Sequence, residues 1–292
     1  ATVTSSYNGV VLSCSTADAG ATYTATYTVA SGNTDQTTAL QITGVTITDV
    51  AGNTSSATAG ADVVKKIDAN VPTLVSARTI SVTTIDLTFS EDLDGTTITN
   101  ADFSVSGYTL TTPDATDTGT PGIVHLTVST PFGTGATPTV TYSGTVKDSA
   151  GNTAPTAGPI TPTDGVAPTL SPVTIASNNA TPSLAKTGDV VTLTFTSSES
   201  VSTPTVTIRG YSAVVAGEPT AWTATYTMTG TDIQGTVPFT INFSDLASTP
   251  NAGTQVTAVT SGSGVLFDRT APTVDAGTNK EVNAVSSQNA TV

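Results

Sequence analysis

The 292-residue chain has little of what most enzymes rely on: one Cys, one Met, one Trp and one His, with aromatics at 5% and charged residues at 10%. A single cysteine, Cys14, excludes an internal disulfide framework and any Cys-based zinc site. A single histidine, His125, leaves no His-based catalytic dyad. The sequence contains no His-Glu-x-x-His, Gly-x-Ser-x-Gly, P-loop or Gly-x-Gly-x-x-Gly pattern, so no catalytic activity is expected of it. Only 8 Lys+Arg face 22 Asp+Glu, a net charge of -14. That balance excludes the basic surface on which nucleic-acid binding rests, and anionic lipid repels it. No apolar run reaches the ~18 residues of a membrane-spanning helix. The first residues, Ala-Thr-Val-Thr-Ser-Ser, show no charged or apolar leader, so an export signal is expected outside this chain. The scarcity of oxidisable side chains points to an extracellular, cell-surface protein.

What is abundant is Thr and Ser, about a third of the chain. The apolar residues between them alternate with period two: Tyr23, Ala25, Tyr27, Val29; Ile85, Leu87, Phe89; Leu193, Phe195; Trp222, Ala224, Tyr226, Met228. This pattern predicts half-buried strands, threonine keeping β-propensity on the wet face. No 3.6-residue period of useful length occurs. His125, within Ile123-Val-His-Leu-Thr-Val128, alternates with apolar neighbours and is expected on the solvent side of a strand. Gly (25) and Pro (16) punctuate the strands at the spacing of an all-β sandwich.

A signature recurs three times: Asp68-Ala-Asn-Val-Pro72-Thr-Leu, Asp164-Gly-Val-Ala-Pro168-Thr-Leu and Asp268-Arg-Thr-Ala-Pro272-Thr-Val. The prolines lie 96 and 104 residues apart, about the size of one immunoglobulin-like sandwich. Proline fixes φ, so these are short, semi-rigid joints. Tyr23-Thr-Ala-Thr-Tyr-Thr-Val29 matches Trp222-Thr-Ala-Thr-Tyr-Thr-Met228 at an offset of 199. Residues 1–67 therefore read as the C-terminal strands of a domain like the third, lacking its first strands, A to C. The expected domains are 1–67 (partial), 68–163, 164–267 and, from Val274-Asp-Ala-Gly-Thr-Asn-Lys, which resembles the opening of a PKD or similar Ig-like module, the start of a further domain at 268–292.

Ile85-Asp-Leu-Thr-Phe-Ser-Glu-Asp-Leu93 and Val140-Thr-Tyr-Ser-Gly-Thr-Val-Lys-Asp-Ser-Ala-Gly-Asn152 resemble the bacterial Ig-like (Big-type) tandem repeats of large adhesins and S-layer-like proteins. Val190-Val-Thr-Leu-Thr-Phe195 and Phe243-Ser-Asp-Leu-Ala247 are similar to a related repeat. The resemblance implies tandem antiparallel β-sandwiches. In such a sandwich the B–C, D–E and F–G loops share one pole with the incoming linker. For the second domain this pole would gather linker Asp68, B–C residues Glu91, Asp92 and Asp94, and F–G residues Asp148 and Asn152. For the third it would gather Asp164, Glu199, Glu218 and Asp245, and the partial domain keeps Asp49 and Asn53.

Two like charges 4 Å apart cost roughly 4 kcal/mol at the effective dielectric of a protein surface. A hard cation removes that penalty. Ca²⁺ accepts six to eight oxygens at flexible geometry, which this set of carboxylates, amides and backbone carbonyls supplies; Mg²⁺ wants a stricter octahedron, and zinc wants His or Cys. The competing reading is local: Asp-x-Ala-Gly-Asn is also a good turn sequence.

The function expected from these observations is structural and adhesive. A rod of repeats would form or decorate a filament, sheath, S-layer or adhesin stalk, with neighbouring repeats or copies of itself as partners. The alternatives are a glycan- or protein-binding adhesin module, or accessory domains of a larger secreted enzyme. A binding module would need an exposed aromatic platform or apolar patch, whereas most aromatics fall at inward positions. One expectation for the partial domain is exchange with the terminal stub Val274–Val292 of another copy; the plainer one is that its remaining strands belong to a longer parent chain. Cys14 is expected as a buried thiol on a strand. The sequons at Asn53, Asn179, Asn242 and Asn289 permit N-glycosylation.

Overall fold

In the computed structural model the described residues are 2–7, 10–15, 23–30, 32–33, 35, 43–57, 67–115 and 122–274. The terminal stub beyond 274, including Asn289, lies outside them. Their fold is all-β, in several mostly antiparallel sheets, with only two short 3₁₀ turns. Among the described residues no helix is long and apolar enough to cross a membrane. The chain divides into two compact units, Ala1–Val166 with Ala247–Asn251, and Ala167–Leu246 with Ala252–Val292.

The first segment of unit 1 is one sheet of β1 (Thr2–Tyr7), β2 (Val10–Ser15), β3 (Thr24–Thr26), β4 (Thr43–Thr48) and β5 (Thr54–Ala57), in the order β3-β2-β1-β4-β5. Cys14 lies on β2, opposite Ala25.

The second segment carries β6 (Leu74–Ser81), β7 (Thr84–Phe89), β8 (Phe103–Val105), β9 (Leu110–Ala115), β10 (Ile123–Val128), β11 (Val140–Tyr142) and β12 (Ala157–Ile160). They form two sheets, β6-β7-β10-β9 and β12-β11-β8, which share one core. The alternation read in sequence decides the faces. Ile85, Leu87 and Phe89 of β7 and Val124, Leu126 and Val128 of β10 are buried against Phe103, Val105, Val140 and Tyr142 of the other sheet. Burying one such side chain contributes about 1.5–3 kcal/mol. His125 sits on the outer face, half-buried, its imidazole hydrogen-bonded to Asp86 across the β7–β10 pair.

Tyr142 stacks edge-on against Phe89 (centroids 5.7 Å apart) and lies 5.4 Å from Phe103. Its hydroxyl accepts from the Val146 backbone N–H (2.9 Å) and donates to the Ala154 carbonyl (3.4 Å). A buried tyrosine thus satisfies the backbone of the β11–β12 loop, and burial holds its phenol above the usual pKa.

Unit 2 carries β13 (Leu170–Ser177), β14 (Leu184–Ala185), β15 (Val190–Ser197), β16 (Thr205–Ile208), β17 (Tyr211–Ser212), β18 (Val214–Gly217), β19 (Ala221–Thr227), β20 (Gly235–Thr236), β21 (Phe239–Asn242) and β22 (Leu266–Phe267). Their sheets are β13-β15-β19-β18, β17-β16-β21 and β14-β22-β20. Trp222, Ala224 and Met228 of the repeated motif point into a core with Leu193, Phe195, Ile208, Ile241 and Phe267.

The first segment and unit 2 share one strand pairing. β1 pairs β4 just as β16 pairs β21, and Thr2-Val3-Thr4 matches Thr205-Val206-Thr207 in sequence. The first segment therefore contains the counterpart of β16, the third main strand. Among the described residues it has no counterpart of β13, β14 or β15. The match was hidden because the β2–β3 connection is longer than the β18–β19 turn, which shifts the offset.

In each unit a late segment returns in parallel to a strand near the start of the same sandwich, β6 in unit 1 and β14 in unit 2. Thr163 bridges Arg78, with Thr163 N–H donating to Ala77 O (2.9 Å) and Thr79 N–H to Thr163 O (3.0 Å). In unit 2, β22 pairs β14, and Asp268 N–H donates to Ala185 O (2.9 Å).

Replacing Tyr142 with Phe keeps the ring but orphans the Val146 N–H. The expected cost is about 1–3 kcal/mol, measured as a lower urea midpoint at constant m-value.

A candidate metal centre at the entry of the second repeat

Three elements of unit 1 bring acids together. Asp68 lies on the entering segment between two buried residues, Ile67 and Ala69, so its backbone is fixed. Glu91 follows β7, where its carbonyl accepts from Gly122 N–H (3.0 Å). A Cβ at Gly122 would stand 2.7 Å from that carbonyl, so the close approach of the two segments requires glycine. Asp148 lies in the β11–β12 loop. One carboxylate oxygen from each of Asp68, Glu91 and Asp148 lies within 4.8 Å of the others.

Asp148 is 3% exposed and its loop is built around it. Oδ1 accepts from the N–H groups of Ala150 (2.8 Å) and Asn152 (2.9 Å), and Oδ2 accepts from Asn152 Nδ2 (2.8 Å). Gly151 turns the chain at φ +95°, a conformation that glycine adopts without strain. Asn152 Nδ2 also reaches the Asp68 carbonyl (3.2 Å), tying the loop to the entering segment. Asp68 Oδ1 is buried and has no hydrogen-bond partner, a costly position for a carboxylate oxygen unless something positive faces it.

The electrostatics agree with the geometry. Glu91 is pushed up to about 7, first by burial and then by the charges of Asp68, Asp148, Asp35 and Asp92. Asp68 is raised by burial and by Asp148 and Asp35. Such shifts mark carboxylates that cannot all ionise without compensation.

Other expected residues do different work. Asp92 is half-buried and acts on Glu91 through its charge. Asp94 is not in the cluster: it caps the 3₁₀ turn Gly95–Thr97, accepting from Thr96 N–H (3.0 Å) and Thr96 Oγ1 (2.7 Å), which lowers its pKa. Asp49 and Asn53 repeat the Asp148 loop: Asn53 N–H and Nδ2 each donate to the Asp49 carboxylate at 2.8 Å, and Gly52 has φ +91°. That carboxylate is exposed, so the turn reading suffices there. Asp164, in unit 1, accepts from Val166 N–H (3.0 Å) and Thr79 Oγ1 (3.3 Å). Within unit 2 the carboxylates of half-buried Glu199 and buried Asp245 lie within 4.8 Å of each other, while Glu218 is exposed on the β18–β19 turn.

The sequence reading missed Asp35. Its carboxylate accepts from Ala69 N–H (2.9 Å) and Asn70 Nδ2 (2.6 Å) and so clamps the entering segment beside Asp68. The signal was the 199 offset, which aligns Asp35 with Gln234. Gln234 Oε1 clamps the corresponding exit, accepting from the N–H groups of Arg269 (2.8 Å) and Thr270 (3.1 Å).

Compared with known proteins, the chain matches no family model, no curated protein and no solved structure.

Because the folded-state pKa of Glu91 lies above its ordinary 4.5, its contribution is fully favourable below about 4.5 and is lost as pH rises through about 7. In EDTA the melting temperature is expected to fall between pH 5 and pH 8, and Glu91→Gln to flatten that fall. A wild-type profile flat over this range would contradict it.

Proposed function

We propose that this chain is a length of extracellular surface rod made of tandem Ig-like sandwiches, stiffened by calcium where one repeat enters the next. It performs no reaction. The Ig-like reading is supported by strand order. Numbered within the second repeat, the seven strands form sheets 1-2-5-4 and 3-6-7, the order of a constant-type immunoglobulin domain. Exit segments pinned to their own repeats, and Pro-containing joints, favour a stiff array. The near absence of Cys and Met suits life outside the cell.

The observation that carries the calcium proposal is the buried, unpartnered Asp68 Oδ1 set beside Glu91 and Asp148. A divalent cation there would take carboxylate oxygens from all three and would reverse the cost of holding them together. The donor set is all oxygen, which favours Ca²⁺ over zinc.

Calcium at about 100 times its Kd stabilises a site by about 2.7 kcal/mol, and each kcal/mol moves the midpoint of a domain this large by about 2–4 °C. Millimolar Ca²⁺ is therefore expected to raise the melting temperature above that in EDTA by roughly 5–10 °C. Glu91→Gln and Asp148→Asn should each remove most of this rise, and Asp49→Asn, on the exposed loop of the same geometry, should keep it. Equal melting in calcium and EDTA would end the proposal.

A further inference from the structure

The first and third repeats share a tyrosine tether. Tyr226 donates its hydroxyl to Asp232, 3.2 and 3.3 Å from the two carboxylate oxygens. Asp232 is 2% exposed and also accepts from Thr229 N–H (2.6 Å) and Thr229 Oγ1 (3.0 Å). At the 199 offset, Tyr27 donates to Asn33 Oδ1 (3.1 Å), which also accepts from Ala30 N–H (2.7 Å). The tether thus belongs to the scaffold of the repeat.

The hairpin beside it differs. β1 and β2 are joined by Asn8-Gly9, with Tyr7 opposite Val10; β16 and β17 are joined by Arg209-Gly210, with Ile208 opposite Tyr211. Asn-Gly is the pair such a two-residue turn prefers. Arg209 instead has φ +59°, the one positive value for a non-glycine residue among those described. An L-residue held there costs roughly 1–2 kcal/mol. Its guanidinium is engaged by the carbonyls of Thr236 (3.0 Å) and Ile233. In sequence the first segment has Asn8 and Val10 on either side of the corresponding glycine, so Arg209 and Tyr211 are not part of the repeated pattern.

What the change presents is a fixed aromatic face. The Tyr211 ring is parallel to Tyr226 and offset from it, centroids 5.7 Å apart and planes 2° apart, and yet Tyr211 is 54% exposed. The ring is thus held beside one that Asp232 fixes in place, while more than half of the residue stays open to water. Ile233, next to Asp232, is 77% exposed.

We propose that Tyr211 is a stacking platform for the pyranose ring of a neutral oligosaccharide. The C–H face of a sugar is apolar and carries slight positive charge, and the face of an aromatic ring is negative. A clamped tyrosine loses little conformational entropy on binding. Asp232 is buried with its oxygens taken, so the platform offers no open carboxylate to a cationic ligand. The net charge of -14 opposes polyanions.

The test follows the tyrosine ring signals of the full chain by NMR during titration with cellohexaose, xylohexaose, mannohexaose or chitohexaose. At least one probe is expected to shift the Tyr211 ring saturably at millimolar concentration or below. Tyr211→Ala should weaken that probe about tenfold or more, while Tyr211→Phe stays within about twofold. The melting temperature of each variant checks that unit 2 is folded. No shift with any probe up to about 10 mM, undiminished binding by Tyr211→Ala, or a shift caused by tetralysine instead would overturn the proposal.

Discussion

Like-charged oxygens held close together are the constraint from which the rest of this structure is best understood. Asp68 is fixed between buried Ile67 and Ala69, Asp148 is held by its own loop, and Glu91 sits where Gly122 lets two segments touch. None of these backbones can retreat without undoing a sheet or a core. Burial first, and then the mutual repulsion built into the fold, raise the pKa of Glu91 and of Asp68. The spacer function proposed above would gain from such an arrangement, because one ion would convert repulsion between elements into attraction among them.

Internal repetition supplies the control that an isolated domain lacks. The Asp49 and Asp148 loops have the same hydrogen bonds and the same positive-φ glycine, yet only Asp148 is buried among other acids. Turn chemistry explains the shape of the loop, and burial beside other carboxylates explains its candidacy as a ligand. The same comparison separates the Tyr226–Asp232 tether, which has a counterpart in Tyr27–Asn33, from Arg209 and Tyr211, which have none.

Much of the strand content was legible because the apolar period is two: Ile85, Leu87 and Phe89 are buried, and His125 faces outward. The three acids that meet were legible because sandwich topology places the entering segment and two loops at one pole. Asp94 caps a turn, and sequence cannot distinguish a cap from a ligand when both favour Asp after a strand. Asp35 was missed because it acts across 34 residues, through a backbone amide that no motif marks. The length of the β2–β3 connection hid a whole strand from the repeat alignment.

Calorimetry of calcium binding in buffers of different ionisation enthalpy tests the central claim most directly. If Ca²⁺ enters among Asp68, Glu91 and Asp148, it must expel the proton that burial and the neighbouring carboxylates keep on Glu91. The account expects about half a proton released per ion at pH 7, falling towards zero by about pH 9. Binding heat that does not depend on the buffer at pH 7, or no binding heat at all, would contradict it.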